Sequence, residues 1–310
     1  MSEKIAVVGA GLIGRAWAIV FARAGFNVAI WDAVPQALQA CQQLLRDNVG
    51  DLAAHGLIEE SVEVVLARIK PATSLADALR NAALVQENVK ETVEVKRDIF
   101  AEMDRLAAPG TILTSSTSWI PTSDFSEQLP GRDRILVAHP VNPPYLVPLV
   151  ELAPAPWTSK STVERARDIY TRAGQSPVVL NKEITGFLLN RIQGAVLNEA
   201  LNLYENGYAS SEDLDKVLKD GLGLRWSFMG PFETIDLNAP EGVLDYAKRY
   251  GHTYRDVAKT QPPNEWRPET LEKIEKERRA ALPAAKLGER ARWRDNRLMG
   301  LVAHKRKQPT

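Results

Sequence analysis

Three closely spaced glycines, Gly9, Gly11 and Gly14, stand where a short apolar run gives way to a stretch of helical length. In a strand–turn–helix of this kind, the first glycine permits a tight turn and the second lets the backbone approach a pyrophosphate. The third lets the helix pack closely on the strand. The helix N-terminus then offers free N–H groups and a positive dipole end to phosphates. The pattern predicts a dinucleotide site.

Asp32 lies 18 residues after Gly14, at the end of the next apolar run. A carboxylate at about this spacing accepts hydrogen bonds from the ribose hydroxyls of a dinucleotide, and it would repel a 2′-phosphate. We therefore expect NAD rather than NADP.

The elements that must position these residues alternate along the first half of the chain. Apolar strands alternating with helices indicate a mostly parallel sheet that is covered on both faces. We predict an α/β fold, a Rossmann-type doubly wound parallel sheet followed by an all-α C-terminal domain. Seven strands are predicted, at Lys4–Val8, Asn27–Trp31, Ala83–Val89, Thr111–Ser115, Ile135–Ala138, Val147–Leu152 and Val178–Leu180.

Helices fill most of the remaining sequence. Residues 36–70 indicate a long helical hairpin broken near His55-Gly56, and Thr185 is a candidate cap for a strongly apolar helix through residues 186–208. We place an NAD-binding domain at 1–185 and a helical substrate and dimerisation domain at 186–310.

Composition limits the class of protein. The 310 residues hold 39 basic and 39 acidic side chains and one cysteine, which argues against a basic nucleic-acid binder, a disulfide framework and a cysteine metal cluster. No apolar run approaches the length of about 18 residues that suggests a membrane span. The N-terminus shows no signal-peptide pattern. We expect a cytoplasmic enzyme without a metal, and partners that include neither nucleic acid nor membrane.

Charge is uneven along the neutral chain. Residues 284–307 hold eight basic and two acidic side chains. A solvated C-terminal helix with a frayed tail is the expected structure, and a contribution to phosphate or carboxylate binding is the alternative.

Two further motifs carry a resemblance. The stretch from Arg134 through His139-Pro-Val-Asn142-Pro-Pro is followed by Pro148-Leu-Val-Glu151-Leu, which puts Glu151 twelve residues after His139. This resembles the 3-hydroxyacyl-CoA dehydrogenase superfamily. The segment Gly221-Leu-Gly-Leu-Arg-Trp-Ser-Phe-Met-Gly-Pro231 and the late Trp293-Arg-Asp resemble its lambda-crystallin / L-gulonate 3-dehydrogenase branch.

The resemblance implies roles for individual residues. His139 matches the family base that removes the hydroxyl proton while hydride moves to the nicotinamide, and Glu151 matches the acid that orients the imidazole. Ser118 and Asn190 match the residues that hydrogen-bond the reacting substrate oxygen. Neutral donors aimed at a developing negative charge lower the barrier electrostatically.

Cofactor contacts carry over in the same way. Leu12, Ile13 and Asp32 match dinucleotide contacts, Glu91 and Lys96 match a cofactor-contacting pair, and Asn142 matches a nicotinamide-side contact. Glu91 and Lys96 could instead belong to a solvated helix face.

The substrate is predicted from charge. The hairpin where the superfamily contacts CoA phosphates holds three basic and five acidic residues over 42–70, and a polyanion prefers a positive surface. Arg225 is a candidate to grip a free carboxylate bidentately, although it could pair with a neighbouring Asp or Glu. We expect an NAD-dependent dehydrogenase of a small free L-3-hydroxy acid such as L-gulonate.

Three alternatives stay open. They are an L-carnitine dehydrogenase, a short-chain L-3-hydroxyacyl-CoA dehydrogenase, and a crystallin-type structural protein that binds NAD without turnover. The resemblance further implies a homodimer.

Overall fold

A computed structural model describes residues 3–308. These residues form two compact units. One comprises the chain up to Asn190 together with the segment from Arg290 onward, and the other comprises Arg191–Glu289. The predicted domain limits of 1–185 and 186–310 remain predictions, and the C-terminal segment belongs with the N-terminal unit.

An eight-stranded sheet organises the first unit. Its order is β3-β2-β1-β4-β5-β6-β7-β8, and all neighbours are parallel except β6 and β7. The chain order reverses between β1 and β4, and in open α/β sheets ligands bind at such a switch point. The strands are β1 Lys4–Val8, β2 Asn27–Trp31, β3 Ile69–Pro71, β4 Ala82–Glu87, β5 Ile112–Ser115, β6 Ile135–Pro140, β7 Leu149–Pro154 and β8 Ser176–Val179.

Helices connect these strands and make up the rest of the described chain. Those before residue 180 are α1 Leu12–Arg23, α2 Pro35–Ala54, α3 Val62–Ala67, α4 Leu75–Leu79, α5 Val93–Leu106, α6 Thr122–Ser126 and α7 Lys160–Arg172. Those after it are α8 Leu189–Glu205, α9 Ser211–Lys216, α10 Gly223–Trp226, α11 Pro231–Leu237, α12 Val243–Ala258, α13 Pro268–Ala281 and α14 Leu287–Lys305. The predicted α/β class with a helical C-terminal region is confirmed.

Two apolar cores cover the faces of the sheet. Trp17 and Phe21 of α1 pack on one face with Tyr170 of α7, and all three are fully buried. Phe100 and Met103 of α5 cover the opposite face. Burial on both faces explains why the strands are continuous apolar runs, since both sides of a parallel strand meet a helix.

The predicted helical hairpin is present as α2 and α3, with its break after Ala54, but the prediction that it extends to residue 70 was wrong. Residues 69–71 form the edge strand β3, and Val28 of β2 pairs with Ile69. A three-residue strand shows too little alternation to be separated from a helix by period.

The predicted helix start at Thr185 was also wrong. Gly186 and Phe187 have φ values of +75° and +48°, so the chain turns sharply there and α8 begins at Leu189. Left-handed residues cannot continue a right-handed helix.

The C-terminal helix was expected to be solvated, but one of its faces is buried. Met299 of α14 is 2% exposed in the first core, and Leu298 and Val302 pack beside it. Arg306 donates to the Leu57 carbonyl at 3.2 Å. The basic side chains therefore lie on a helix whose apolar face is anchored.

The second unit carries many large apolar side chains on its surface. Among these side chains, Phe228, Phe232, Leu237 and Leu244 are each at least 66% exposed. Large exposed apolar patches are uncommon on soluble monomers. None of the helices within residues 3–308 is long and apolar enough to cross a membrane.

Candidate active site

The glycine loop occupies the carboxyl end of β1, at the switch point. Gly9 has φ +94° and donates to the Trp31 carbonyl at 2.8 Å. A Cβ on Gly14 would lie 1.8 Å from the Gly9 carbonyl oxygen, whereas a Cβ on Gly11 would meet nothing within 4 Å. Gly14 is therefore required for the close contact between the glycine loop and α1. At Gly11, the space beside the backbone is open.

The N-terminus of α1 suits a pyrophosphate. Gly11 is its N-cap, no side chain caps the helix, and its first turn holds no acidic residue. The first N–H groups of an uncapped helix are free donors at the positive end of the dipole. Leu12, at the first helical position, is 52% exposed. These groups fit an anionic dinucleotide bridge.

Asp32 joins the loop to the end of β2. Its carboxylate accepts from the Ala10 N–H at 2.7 Å through Oδ2 and from the Val34 N–H at 2.9 Å through Oδ1. These bonds fix the side chain beside the glycine loop, and its contact with a ribose hydroxyl remains a prediction.

Substitution of Gly14 should affect the stability of the fold, whereas substitution of Gly11 should affect the affinity for NADH. Gly14→Ala should destabilise the fold by about 3 kcal/mol or more, because the new methyl group meets backbone that cannot yield. Gly11→Ala should lower the melting temperature much less, by the small cost of a poorer N-cap, but raise the Kd for NADH at least about 10-fold, equivalent to about 1.4 kcal/mol. Thermal melts and NADH titrations check both. A Gly11→Ala variant with native NADH affinity would argue against this loop as the pyrophosphate site.

His139 and Glu151 face each other across the antiparallel pair of β6 and β7, where they are directly opposite in register. The distance from His139 Nδ1 to Glu151 Oε2 is 2.8 Å, and the residues are 4% and 1% exposed. The register explains how residues twelve apart meet. A carboxylate can only accept, so in a neutral imidazole Nδ1 carries the proton and Nε2 the lone pair.

The second carboxylate oxygen of Glu151 caps α8. Glu151 Oε1 accepts from the N–H groups of Leu188 at 2.8 Å and Leu189 at 2.9 Å. Burial pushes the pKa of Glu151 upward, but its hydrogen bonds to His139, Leu189 and Leu188 outweigh burial and lower the pKa below its usual range. Glu151 is therefore held as a carboxylate.

Ser118 lies in the loop after β5, where its backbone contacts Asn190 and Glu91. Asn190 Nδ2 donates to the Ser118 carbonyl at 2.9 Å, and the Ser118 N–H donates to Glu91 Oε1 at 2.8 Å. Thr117 Oγ1 donates to the same Glu91 oxygen. The structure thus brings Ser118, Asn190 and Glu91 into one network, and Asn190 directly follows the residues that bond Glu151.

Lys96 is not at the surface. Its side chain is 1% exposed, and Nζ donates to both oxygens of the fully buried Glu87 at 3.1 and 3.0 Å. Glu91 lies 3.7 Å from the same ammonium and is 43% exposed. A solvated helix face is excluded for Lys96. A direct contact of Lys96 with the cofactor remains a prediction.

The other predicted residues lie elsewhere. Asn142 is exposed in the turn after β6, and Ile13 is half-buried on α1. Arg225 is exposed on α10 in the second unit, and among residues 3–308 no carboxylate forms an ion pair with it. The predicted alternative of a local Asp or Glu partner is therefore not observed.

Sequence reasoning missed Glu87 and Phe187. Glu87 ends β4 and accepts from Ser115 Oγ at 2.6 Å as well as from Lys96. An acidic residue closing an apolar strand was a usable signal. Phe187 gives no polar signal, yet its ring lies 5.4 Å from the imidazole of His139.

Comparison with known proteins identifies the family of this chain. Residues 4–184 match the NAD-binding domain of 3-hydroxyacyl-CoA dehydrogenase, and residues 186–281 match its C-terminal domain. The chain belongs to the 3-hydroxyacyl-CoA dehydrogenase family. Its cofactor is NAD, and the family consists of NAD-dependent oxidoreductases.

Individual relatives of this family member cover most of its length. A lambda-crystallin homolog of Bos taurus is 45% identical over 98% of this chain and 96% of its own. An L-carnitine dehydrogenase of Streptomyces griseus is 36% identical over 78% of this chain and 71% of its own. The crystal structure of 5-formyl-3-hydroxy-2-methylpyridine 4-carboxylic acid 5-dehydrogenase, an NAD⁺-dependent dismutase, has a TM-score of 0.83 with 28% identity, covering 99% and 98% of the two chains.

Proposed function

We propose that the protein oxidises the 3-hydroxyl of a small free L-3-hydroxy acid, with His139 as the general base. The observation that carries this proposal is the buried hydrogen bond between His139 Nδ1 and Glu151 Oε2. It orients one imidazole nitrogen and leaves the other to accept a proton. NAD⁺, when bound, would accept the hydride from the carbon that bears the hydroxyl group.

The proton transfer follows from these contacts. Nε2 of His139 takes the hydroxyl proton, and the imidazolium that forms lies against the Glu151 carboxylate. A buried carboxylate in this position stabilises the imidazolium and keeps the ring in one tautomer. The backbone donors of Leu188 and Leu189 on the other oxygen hold that carboxylate in place.

Ser118 and Asn190 are proposed to bind the reacting oxygen. The backbone of Ser118 is held at both ends, by Glu91 at its N–H and by Asn190 at its carbonyl. A hydroxyl on so fixed a backbone is preorganised, and preorganised neutral donors stabilise the charge that develops on the oxygen.

The free-acid substrate is supported by charge and by one relative's name. Residues 42–70, which run from α2 through α3 into β3, carry a net charge of −2, which disfavours the phosphates of CoA. Arg68, one of the three cations there, is already paired with Glu60. The relative from Streptomyces is named for L-carnitine, which is itself a free 3-hydroxy acid.

A substrate panel tests the proposal. NADH formation is followed by absorbance with L-gulonate, L-carnitine, 3-hydroxybutyrate and 3-hydroxybutyryl-CoA at equal concentrations. We expect the highest kcat/KM for a free acid, with L-gulonate ahead of L-carnitine. Turnover of the thioester alone would overturn the substrate class. NAD binding with no turnover of any of the four would favour a structural role.

Arg225 is proposed to hold the substrate carboxylate. Arg225→Met should raise the KM for the free acid about 10- to 100-fold, the range expected for a lost charge-assisted hydrogen bond of about 1.5–3 kcal/mol. The KM for NAD should not change. Arg249→Met is a suitable control, since that guanidinium is paired with Asp245. An unchanged KM for the acid in Arg225→Met would remove this assignment.

We further propose a homodimer formed through the second unit. Its exposed apolar side chains, Phe232 and Leu244 among them, support this assignment because a monomer rarely leaves so much apolar surface in water. Sedimentation equilibrium should give twice the chain mass of 34.3 kDa. A monomer mass at micromolar concentration would contradict the proposal.

A further inference from the structure

Phe187 is the large apolar side chain in contact with the proposed base. It is fully buried, and its ring centroid lies 5.4 Å from that of His139 with the two planes tilted by 42°. A phenyl ring neither donates nor accepts a proton in this reaction, so its effect must come from packing and from excluding water.

The backbone at Phe187 is in an uncommon conformation. Phe187 has φ +48°, and it follows Gly186 with φ +75°. A bulky residue in the left-handed region persists only where its surroundings determine it, and such residues cluster at functional sites. The Phe187 N–H donates to the Ile184 carbonyl at 3.0 Å, which closes the turn.

This turn places the next residues on the site. Directly after it, the N–H groups of Leu188 and Leu189 reach Glu151, and the Asn190 amide reaches Ser118. On the other side, a Cβ added to Gly186 would lie 3.0 Å from the Trp119 ring, beside Ser118. Residues 186–190 therefore contact both Glu151 and the loop that carries Ser118.

We propose that Phe187 is a positioning residue for His139 and Glu151. Its ring closes one face of the imidazole and keeps water from the hydrogen bond between Nδ1 and the carboxylate. A hydrogen bond in such a low-dielectric setting is stronger than one in water. The left-handed turn is retained because it delivers the ring and the two capping N–H groups together. The catalytic part of this inference rests on the proposed function, but the positional part does not.

Three variants test the proposal, Phe187→Leu, Phe187→Gly and the control Phe100→Leu. Phe100 is equally buried in the same core as Phe187, where it packs on Phe125 at 4.6 Å. The ring contacts of the described residues do not join it to His139, so it matches the loss of packing away from the imidazole. Phe187→Gly removes the ring while making the left-handed backbone unstrained. Each variant is measured for kcat, KM, melting temperature and amide hydrogen exchange at Leu188 and Leu189.

We expect both Phe187 variants to lose about 100-fold in kcat, the size of effect that a misplacement of about 1 Å produces. The KM for NAD should stay unchanged, and exchange at Leu188 and Leu189 should accelerate. Phe100→Leu should lower the melting temperature but keep native kcat and native exchange at those amides.

Native kcat in Phe187→Gly would show that the backbone turn alone matters and would overturn the role of the ring. An equal loss of kcat in Phe100→Leu would reduce the effect to general destabilisation and would also overturn it. If the wild type turns over no hydroxy acid, the proposed function fails. The exchange measurement then decides the inference alone, and unchanged exchange at Leu188 and Leu189 in the Phe187 variants refutes it.

Discussion

His139→Ala should lower kcat for the free hydroxy acid by about 10²–10⁴-fold, the contribution typical of a positioned general base. In the described hydrogen bonds, Glu151 Oε2 pairs with His139 Nδ1. The variant lacks this imidazole and therefore lacks the group that is proposed to take the substrate proton. The affinity for NADH should be retained, because the glycine loop and Asp32 make no contact with His139 in the described hydrogen bonds. Steady-state kinetics and NADH titration measure the two effects.

His55→Ala is the matched control. His55 is the C-cap of α2, and its Nδ1 lies 2.9 Å from the Asp51 carbonyl oxygen, so its loss removes an imidazole without touching the proposed site. We expect native kinetics for it. Full turnover in His139→Ala, or an equal loss in both variants, would contradict the role of His139.

Glu151 should show the second large effect, and two substitutions separate its two roles. Glu151→Gln keeps an acceptor for the N–H groups of Leu188 and Leu189 but removes the charge. It should lower kcat about 10³-fold or more, as amide replacement of a triad carboxylate does. Glu151→Ala removes the acceptor as well, and each buried donor left unpaired costs about 1–3 kcal/mol. Only the alanine variant should therefore lose much stability in urea. Equal stability of the two variants would contradict the capping of α8 by Glu151.

The same carboxylate makes stability depend on pH. The pKa of Glu151 is lower in the folded protein than its ordinary value of 4.5, so the unfolded chain binds this proton first as the pH falls. Its contribution is therefore complete above about 4.5 and is lost as the pH falls through the folded pKa. Urea titrations should show that wild type loses more stability than Glu151→Gln on acidification below about 4.5. Parallel losses would show that Glu151 is not the source.

Local patterns with a strict backbone cause were legible in the sequence. The spacing of Gly9, Gly11 and Gly14 reports a turn and a close contact that other residues cannot make, and the structure contains both. The apolar runs of β1, β2 and β6 were readable because each is buried on both faces.

Features set by distant partners were not legible. The start of α8 depends on Glu151, 37 residues from Leu188, so the nearby Thr185 was a misleading cap. Lys96 is buried because Glu87 on the neighbouring strand neutralises it, and sequence spacing on α5 does not reveal that partner. The anchoring of α14 depends on a core formed by residues near the N-terminus.

The central claim is that hydride leaves the carbon bearing the 3-hydroxyl of a free acid. The most direct measurement uses L-gulonate deuterated at C3, incubated with the wild-type enzyme and NAD⁺, with the reduced cofactor analysed by mass spectrometry. The account predicts deuterium in NADH together with a 3-oxo acid product. Absence of reduced cofactor, or NADH formed without deuterium, would contradict it.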